Sequence, residues 1–225
     1  MKPSTRIQTK KELQVPKIVR KVLLVCGILS SLLYIVTDIL AAMQWDGYCF
    51  TSQSVSELMA IGAPTRSFVI FLFGVYSVFV IAFGLGVRGV DTRKRTLRIA
   101  GVLLTGYGFA GYMTGLFFPM HLRGAVGTIT DTMHITGTIV MSLFLILSIG
   151  FGSTAHGRWF HRYSIVTILV LLLFGAWAGL DGPRVAAQLP TPWLGIKERI
   201  NIYTSMLWVL VFAVILMRAE KAKAN

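Results

Sequence analysis

Acidic side chains are scarce in this chain: nine Asp and Glu stand against 22 Lys and Arg in 225 residues, and charged residues make up only 14%. Soluble domains carry roughly a quarter charged residues, so this deficit excludes an ordinary solvated surface. Cysteine is nearly absent too. Cys26 and Cys49 are the only two. They fall inside and beyond one apolar run, further apart than the roughly 7 Å that a disulfide tolerates. That excludes a disulfide framework and reads Cys49 as a free thiol. The four histidines form neither H-E-x-x-H nor a Cys/His pair pattern, so no established metal signature is present. Nor does Gly or Pro break the middle of corresponding spans in the two halves, which speaks against the discontinuous helices of inverted-repeat carriers.

Apolar residues are what the chain has in excess: 55% of the sequence, with a mean hydropathy of +0.70. A helix needs about 20 such residues to cross about 30 Å of hydrocarbon. Six runs qualify: Val22 to Met43, Phe68 to Val87, Leu97 to Phe118, Thr130 to Phe151, Tyr163 to Leu180 and Ile200 to Met217. The expected fold is therefore all-α, a polytopic bundle of six transmembrane helices. The first run is too long for a signal-peptide core and reads as a retained span.

Six spans place both termini on one side, and basic residues choose that side. Seventeen of the 22 Lys and Arg lie in the amino-terminal arm, the loops after the second and fourth runs, and the tail. These segments are expected to be cytoplasmic, with the protein in the plasma (inner) membrane. The opposite loops hold Arg66, Arg123, Arg184, Lys197 and Arg199, nearly balanced by Asp46, Glu57, Asp131, Asp181 and Glu198. The formal charge of +13 thus follows topology and attraction to anionic lipid, and nucleic acid is excluded as a partner for want of any recognition motif. Residues 1–20 read as a basic cytoplasmic arm, 21–218 as the transmembrane domain and 219–225 as a cytoplasmic tail.

The third span contains Gly101, Gly106, Gly108, Gly111 and Gly115. Small residues let helices approach closely in lipid, so a tightly packed central helix is expected, and homo-oligomerisation through this span is a possible partner interaction. In the first outer loop, Ser54 and Glu57 have the spacing of a capping box, followed by Gly62 and Pro64 as a stop,. This predicts a short interfacial helix. Glu57 then has either a capping role or one as metal ligand or proton carrier.

The most concentrated polar stretch is Phe117 to His134. Pro119 ends the third span, which releases His121 just beyond it. Thr128 or Thr130 can cap the fourth span, with Asp131 in its first turn complementing the helix dipole. Asp131, His134 and Thr138 share one face of that helix. Asp38 recurs on a face with Ser30 and Tyr34 inside the first span, where an unpaired carboxylate is costly. His156 and His161 fall in a loop on the other side, as headgroup contacts or solvated residues. Arg184, Lys197 and Arg199 in the third outer loop are available to an anionic headgroup or serve as interfacial anchors.

TSQSVSELMAIGAPTR in the first outer loop, FFPMHLRG after the third span and TDTMH at the fourth resemble the domain-of-unknown-function 998 family of bacterial and archaeal membrane proteins. The resemblance covers about Leu24 to Met217, and it implies a six-helix integral membrane protein without an assigned activity. A looser similarity, of residue type alone, is to membrane hydrolases of the alkaline ceramidase type, which work around an embedded zinc.

Function from sequence is thus an integral membrane protein with a polar His/Asp/Glu site at its extracytoplasmic face. The catalytic candidates are His121, His134 and Asp131; Asp38, Ser54, Glu57 and Arg123 are candidates for lipid or ligand binding. If a metal is present, zinc on His121, His134 and Glu57 is the expectation. One alternative is a hydrolase or transferase acting on a lipid or lipid-linked substrate from the bilayer. The other is a small transporter or membrane scaffold.

Overall fold

A computed structural model describes residues 16–91, 93–123 and 127–222. The described part is helical, without a strand. Helix α1 is Lys17–Gln44, α2 Arg66–Val90, α3 Arg95–Phe117, α4 Ile129–Gly152, α5 Arg158–Gly179, α6 Gly182–Ala186 and α7 Leu194–Ala222. Six helices among the described residues are long and apolar enough to cross a membrane. The protein is a multi-pass membrane bundle. Most of the proposed arm, residues 1–15, and the end of the tail, 223–225, lie outside the described residues. Lys17 to Arg20 and Ala219 to Ala222 are already helical, since an apolar helix extends into its polar flanks at little cost,.

Helices adjacent in sequence pack side by side from α1 to α4, while α7 lies against both α1 and α5. The described residues of the connections 45–65, 118–123 with 127–128, and 180–193 therefore gather at one end, here the Glu57 end, with both described termini at the other. Glycine makes the α2–α3 contact close: a Cβ on Gly101 would lie 2.6 Å from the Gly84 carbonyl oxygen and from Arg88 N. Gly108 also faces α2, whereas Gly106 and Gly111 face Phe144 and Met141 of α4. These glycines are engaged within one chain.

Phe83, Phe160, Trp208 and Phe212 fill the half of the bundle remote from the Glu57 end. Trp208 donates its indole N–H to Ser164 Oγ at 2.9 Å, and Ser31 donates to the Met206 carbonyl at 2.9 Å. Such bonds between small polar groups hold helices together where the hydrophobic effect supplies no drive. Buried residues of α4 and α5 lie mostly near their shared connection at 153–157. Their far halves turn Ile135, Ile139, Leu172, Leu173 and Trp177 outward.

Candidate functional site

The local fold of the first loop follows its sequence. Ser54 opens a 3-10 turn over Val55–Met59, with its N–H donating to Glu57 Oε1 at 3.0 Å while Glu57 N–H donates to Ser54 Oγ at 3.3 Å. This is the reciprocal capping box. Five residues close only a 3-10 turn because Gly62, at φ +95°, redirects the chain at once,.

Glu57 is 1% exposed, and its carboxylate does more than cap. Arg123 donates Nε and Nη2 to it at 2.9–3.1 Å, and Gln53 adds a third donor at 3.1 Å. The same guanidinium reaches Thr191 Oγ1 at 2.6 Å and the Ser52 carbonyl at 2.9 Å. Arg123 thus ties together the three loops of this end. Burial by itself would push the Glu57 carboxyl up; the Arg123, Ser54 and Gln53 bonds outweigh it and hold it below its ordinary value,.

A carboxyl depressed in the folded state contributes stability above its unfolded value, and that contribution is lost as pH falls through the folded one. Glu57→Gln should therefore lower neutral-pH stability by about 2 kcal/mol and flatten the stability curve below about pH 4.5. Melting of parent and variant against pH checks this. Parallel curves would mean that the carboxylate charge is irrelevant.

Next to this clasp, Pro119 ends α3 at Phe117, and Ile61 N–H donates to the Met120 carbonyl at 2.7 Å. His121 follows. Its backbone N–H donates to Asp131 Oδ1 at 2.7 Å, and its Nδ1 lies 3.1 Å from Oδ2. Thr128 supplies Asp131 Oδ2 with its N–H at 2.8 Å and its hydroxyl at 2.9 Å. One carboxylate in the first turn of α4 therefore caps its own helix and orients an imidazole from another segment. His121 remains 27% exposed at the side chain, and no described residue engages its Nε2.

His134 is 6% exposed and donates Nδ1 to the Phe118 carbonyl at 2.8 Å, closing the end of α3,. The helical face shared by Asp131, His134 and Thr138 is present, but it does not make a pair of Asp131 and His134: Thr138 bonds back to the His134 carbonyl, and Asp131 turns to His121. Nor do the three candidate metal ligands meet. His121 faces Asp131, His134 faces a carbonyl and Glu57 faces Arg123; among the described residues no three His, Cys, Asp or Glu side chains converge. This donor set does not fit zinc.

Asp38 is fully buried, and it belongs to a separate cluster. Arg199 Nε and Nη2 meet its two oxygens at 2.9 and 2.8 Å, and the Tyr203 hydroxyl donates at 2.5 Å. Nη2 also reaches Tyr48 Oη at 2.8 Å, Nη1 the Phe50 carbonyl at 2.7 Å, and the Phe50 ring lies 3.5 Å from the guanidinium carbon. Lys197 pairs with Asp181 at 2.7 Å beside the Trp177 ring. The expectation that Lys197 and Arg199 are open to a headgroup is corrected: both are buried because α7 starts at Leu194, ahead of the apolar run, and draws them inward. Arg184 stays exposed and donates only its Nε to the Pro190 carbonyl, at 2.9 Å. Of the distant histidines, His161 on α5 meets Ser153 Oγ, just after α4, at 3.0 Å.

Sequence reasoning missed Arg199 as the partner of Asp38, Arg123 as the partner of Glu57, and His121 as the choice of Asp131. A signal existed for the first: a carboxylate inside a span demands a cation, and only five basic residues share its end,.

Six spanning helices with four acid–base pairs gathered at one end define a polytopic membrane protein with a polar, interlocked loop face. Over residues 28–215 the chain matches the family described as protein of unknown function (DUF998), and it belongs to that family. No curated protein and no solved structure matches it.

Proposed function

We propose that the Glu57 end is extracytoplasmic and that it carries an acid–base centre acting on a lipid or lipid-linked substrate. The observation that carries this is the His121–Asp131 pair with its unengaged Nε2. Asp131 holds the proton on Nδ1, so Nε2 keeps its lone pair and can take a proton from water or a substrate hydroxyl as that oxygen attacks the acyl or phosphoryl centre of a lipid ester, then give it to the alcohol oxygen whose bond to that centre breaks,. The resulting imidazolium is stabilised by the same carboxylate. Exposed Phe117, Phe118, Ile129 and Met133 flank the pair, and Arg123 pins the loops above it. The apolar flank favours a substrate that arrives from the bilayer, on which the pair acts as a hydrolase or transferase.

The concentration of Lys and Arg at the opposite end supports a plasma-membrane protein with cytoplasmic termini, a basic arm over residues 1–20, a transmembrane domain over 21–218 and a tail over 219–225,. On this reading the Val55–Met59 turn lies at the outer interface. Cys49 reports on it. The thiol is exposed and lowered to about 7, first by the Ser52 side chain and then by Thr51. An impermeant maleimide should label Cys49 on intact cells, with a rate midpoint near pH 7, while buried Cys26 stays unmodified,. Labelling only after the membrane is opened would reverse the orientation.

The catalytic reading is tested by mass-spectrometric turnover of bacterial lipids by purified protein in liposomes. His121→Ala and Asp131→Asn should each slow turnover about a hundredfold or more. Equal rates in parent and variants would sink it. A second reading, a small transporter or scaffold, is favoured by the pairing of Asp38, Glu57 and Asp181, which leaves these acids structurally occupied. Such a scaffold would assemble through the exposed α3 stripe of Val102, Phe109, Tyr112 and Leu116. Solute flux without lipid turnover would select the transporter.

A further inference from the structure

Three arginines converge at the end opposite Glu57. Arg88 comes from the last turn of α2, while Arg95 and Arg98 stand one turn apart at the start of α3. They line one groove of about 450 Å³ together with Ile99, Val102 and Leu103. Gly101 makes this possible, because its missing side chain lets α2 bring Arg88 directly against α3. Along α3 the lining runs at helical spacing from Arg95 and Arg98 to Ile99, Val102 and Leu103, so one face passes from cationic to apolar over about 12 Å at 1.5 Å per residue.

All three arginines are exposed, and no described carboxylate or carbonyl pairs with them. Arg20 at the same end is different, since it is bound to Glu220 and to the Gly89 carbonyl. Asp91, the acid nearest in sequence, accepts the Arg93 backbone N–H, and the first turn of α3 has no acid of its own. Three unpaired guanidiniums above an apolar wall match the order of groups in a phospholipid. Guanidinium forks bind phosphate oxygens in pairs, and the side chains below suit an acyl chain.

We propose that Arg88, Arg95 and Arg98 form the headgroup site for one anionic phospholipid, whose chain lies along Ile99, Val102 and Leu103. The site is independent of the His121–Asp131 centre and of any catalytic activity. The lipid lies in the groove over the ends of α2 and α3 and offsets the mutual repulsion of the three cations that line it. A zwitterionic lipid cannot do this equally well, because its own ammonium or choline adds positive charge at the same place.

The test is native mass spectrometry of delipidated, full-length protein titrated with phosphatidylglycerol, phosphatidylcholine or inorganic phosphate. The parent should retain one phosphatidylglycerol in preference to phosphatidylcholine. Each single Arg→Gln change should weaken it about fivefold, and Arg88→Gln/Arg95→Gln/Arg98→Gln together on the order of a hundredfold. A charge-matched control, Lys17→Gln/Lys21→Gln/Arg218→Gln, alters exposed cations of the same end and should retain the parent affinity. The single variants keep the test open if the triple variant does not fold. Equal losses in the two triple variants would overturn the proposal in favour of diffuse attraction. Equal binding of phosphatidylcholine would overturn it, as would saturation of the site by millimolar inorganic phosphate, which would make it a free-anion site.

Discussion

Replacing Arg199 with leucine is expected to destabilise the bundle by about 3–5 kcal/mol, because it leaves the fully buried Asp38 carboxylate without its cation,. Arg199 and Asp38 are 4% and 0% exposed at their side chains, and the pair is bidentate. The arginine also donates to the Tyr48 hydroxyl and the Phe50 carbonyl, so the substitution releases the first loop as well as the α1–α7 contact. Asp38→Asn/Arg199→Leu should recover much of the loss, since it removes the charge that makes the single variant costly. Melting temperatures of the parent, the single and the double variants in one detergent form the cycle. If the single variant melts with the parent, the pair contributes nothing.

Substituting Gly101 with valine is expected to be comparably damaging, at about 3 kcal/mol or more, through sterics alone. The new Cβ would meet two backbone atoms of α2 at 2.6 Å. Backbone cannot rotate away as a side chain can, so α2 and α3 must separate along their length. Gly150→Ala in α4 is the matched control. Nothing lies within 4 Å of its added Cβ, and alanine favours helix by up to about 1 kcal/mol over glycine,. Its melting temperature should equal or exceed that of the parent. A stable Gly101→Val protein would show that the α2–α3 contact is adjustable. Because Gly101 also seats Arg88, this variant should lose phosphatidylglycerol together with stability.

Local signals in the chain were strong wherever one segment was enough. The Ser54–Glu57 spacing specified a capped short helix, realised as a 3-10 turn, Pro119 marked the end of α3, and Asp131 with Thr128 or Thr130 marked the start of α4, where the structure chose Thr128, since each depends on backbone geometry over a few residues,. The span edges were less legible. The sixth run begins at Ile200 by apolarity, yet α7 begins at Leu194, because Lys197 and Arg199 are neutralised by Asp181 and Asp38. A polar residue reads as a boundary until its partner is known.

Apolar runs of membrane-crossing length were sufficient to determine an all-helical multi-pass protein, because lipid leaves backbone hydrogen bonds no other partner,. The polar residues available at the Glu57 end were also evident from the chain alone. Only the tertiary structure decided how they pair: Asp38 with Arg199 across 161 residues, Glu57 with Arg123 across 66, and Asp131 with His121 in preference to His134. The physical reason is that a buried charge is stabilised by whichever opposite charge the packing brings within about 3 Å, and sequence spacing carries no record of that approach.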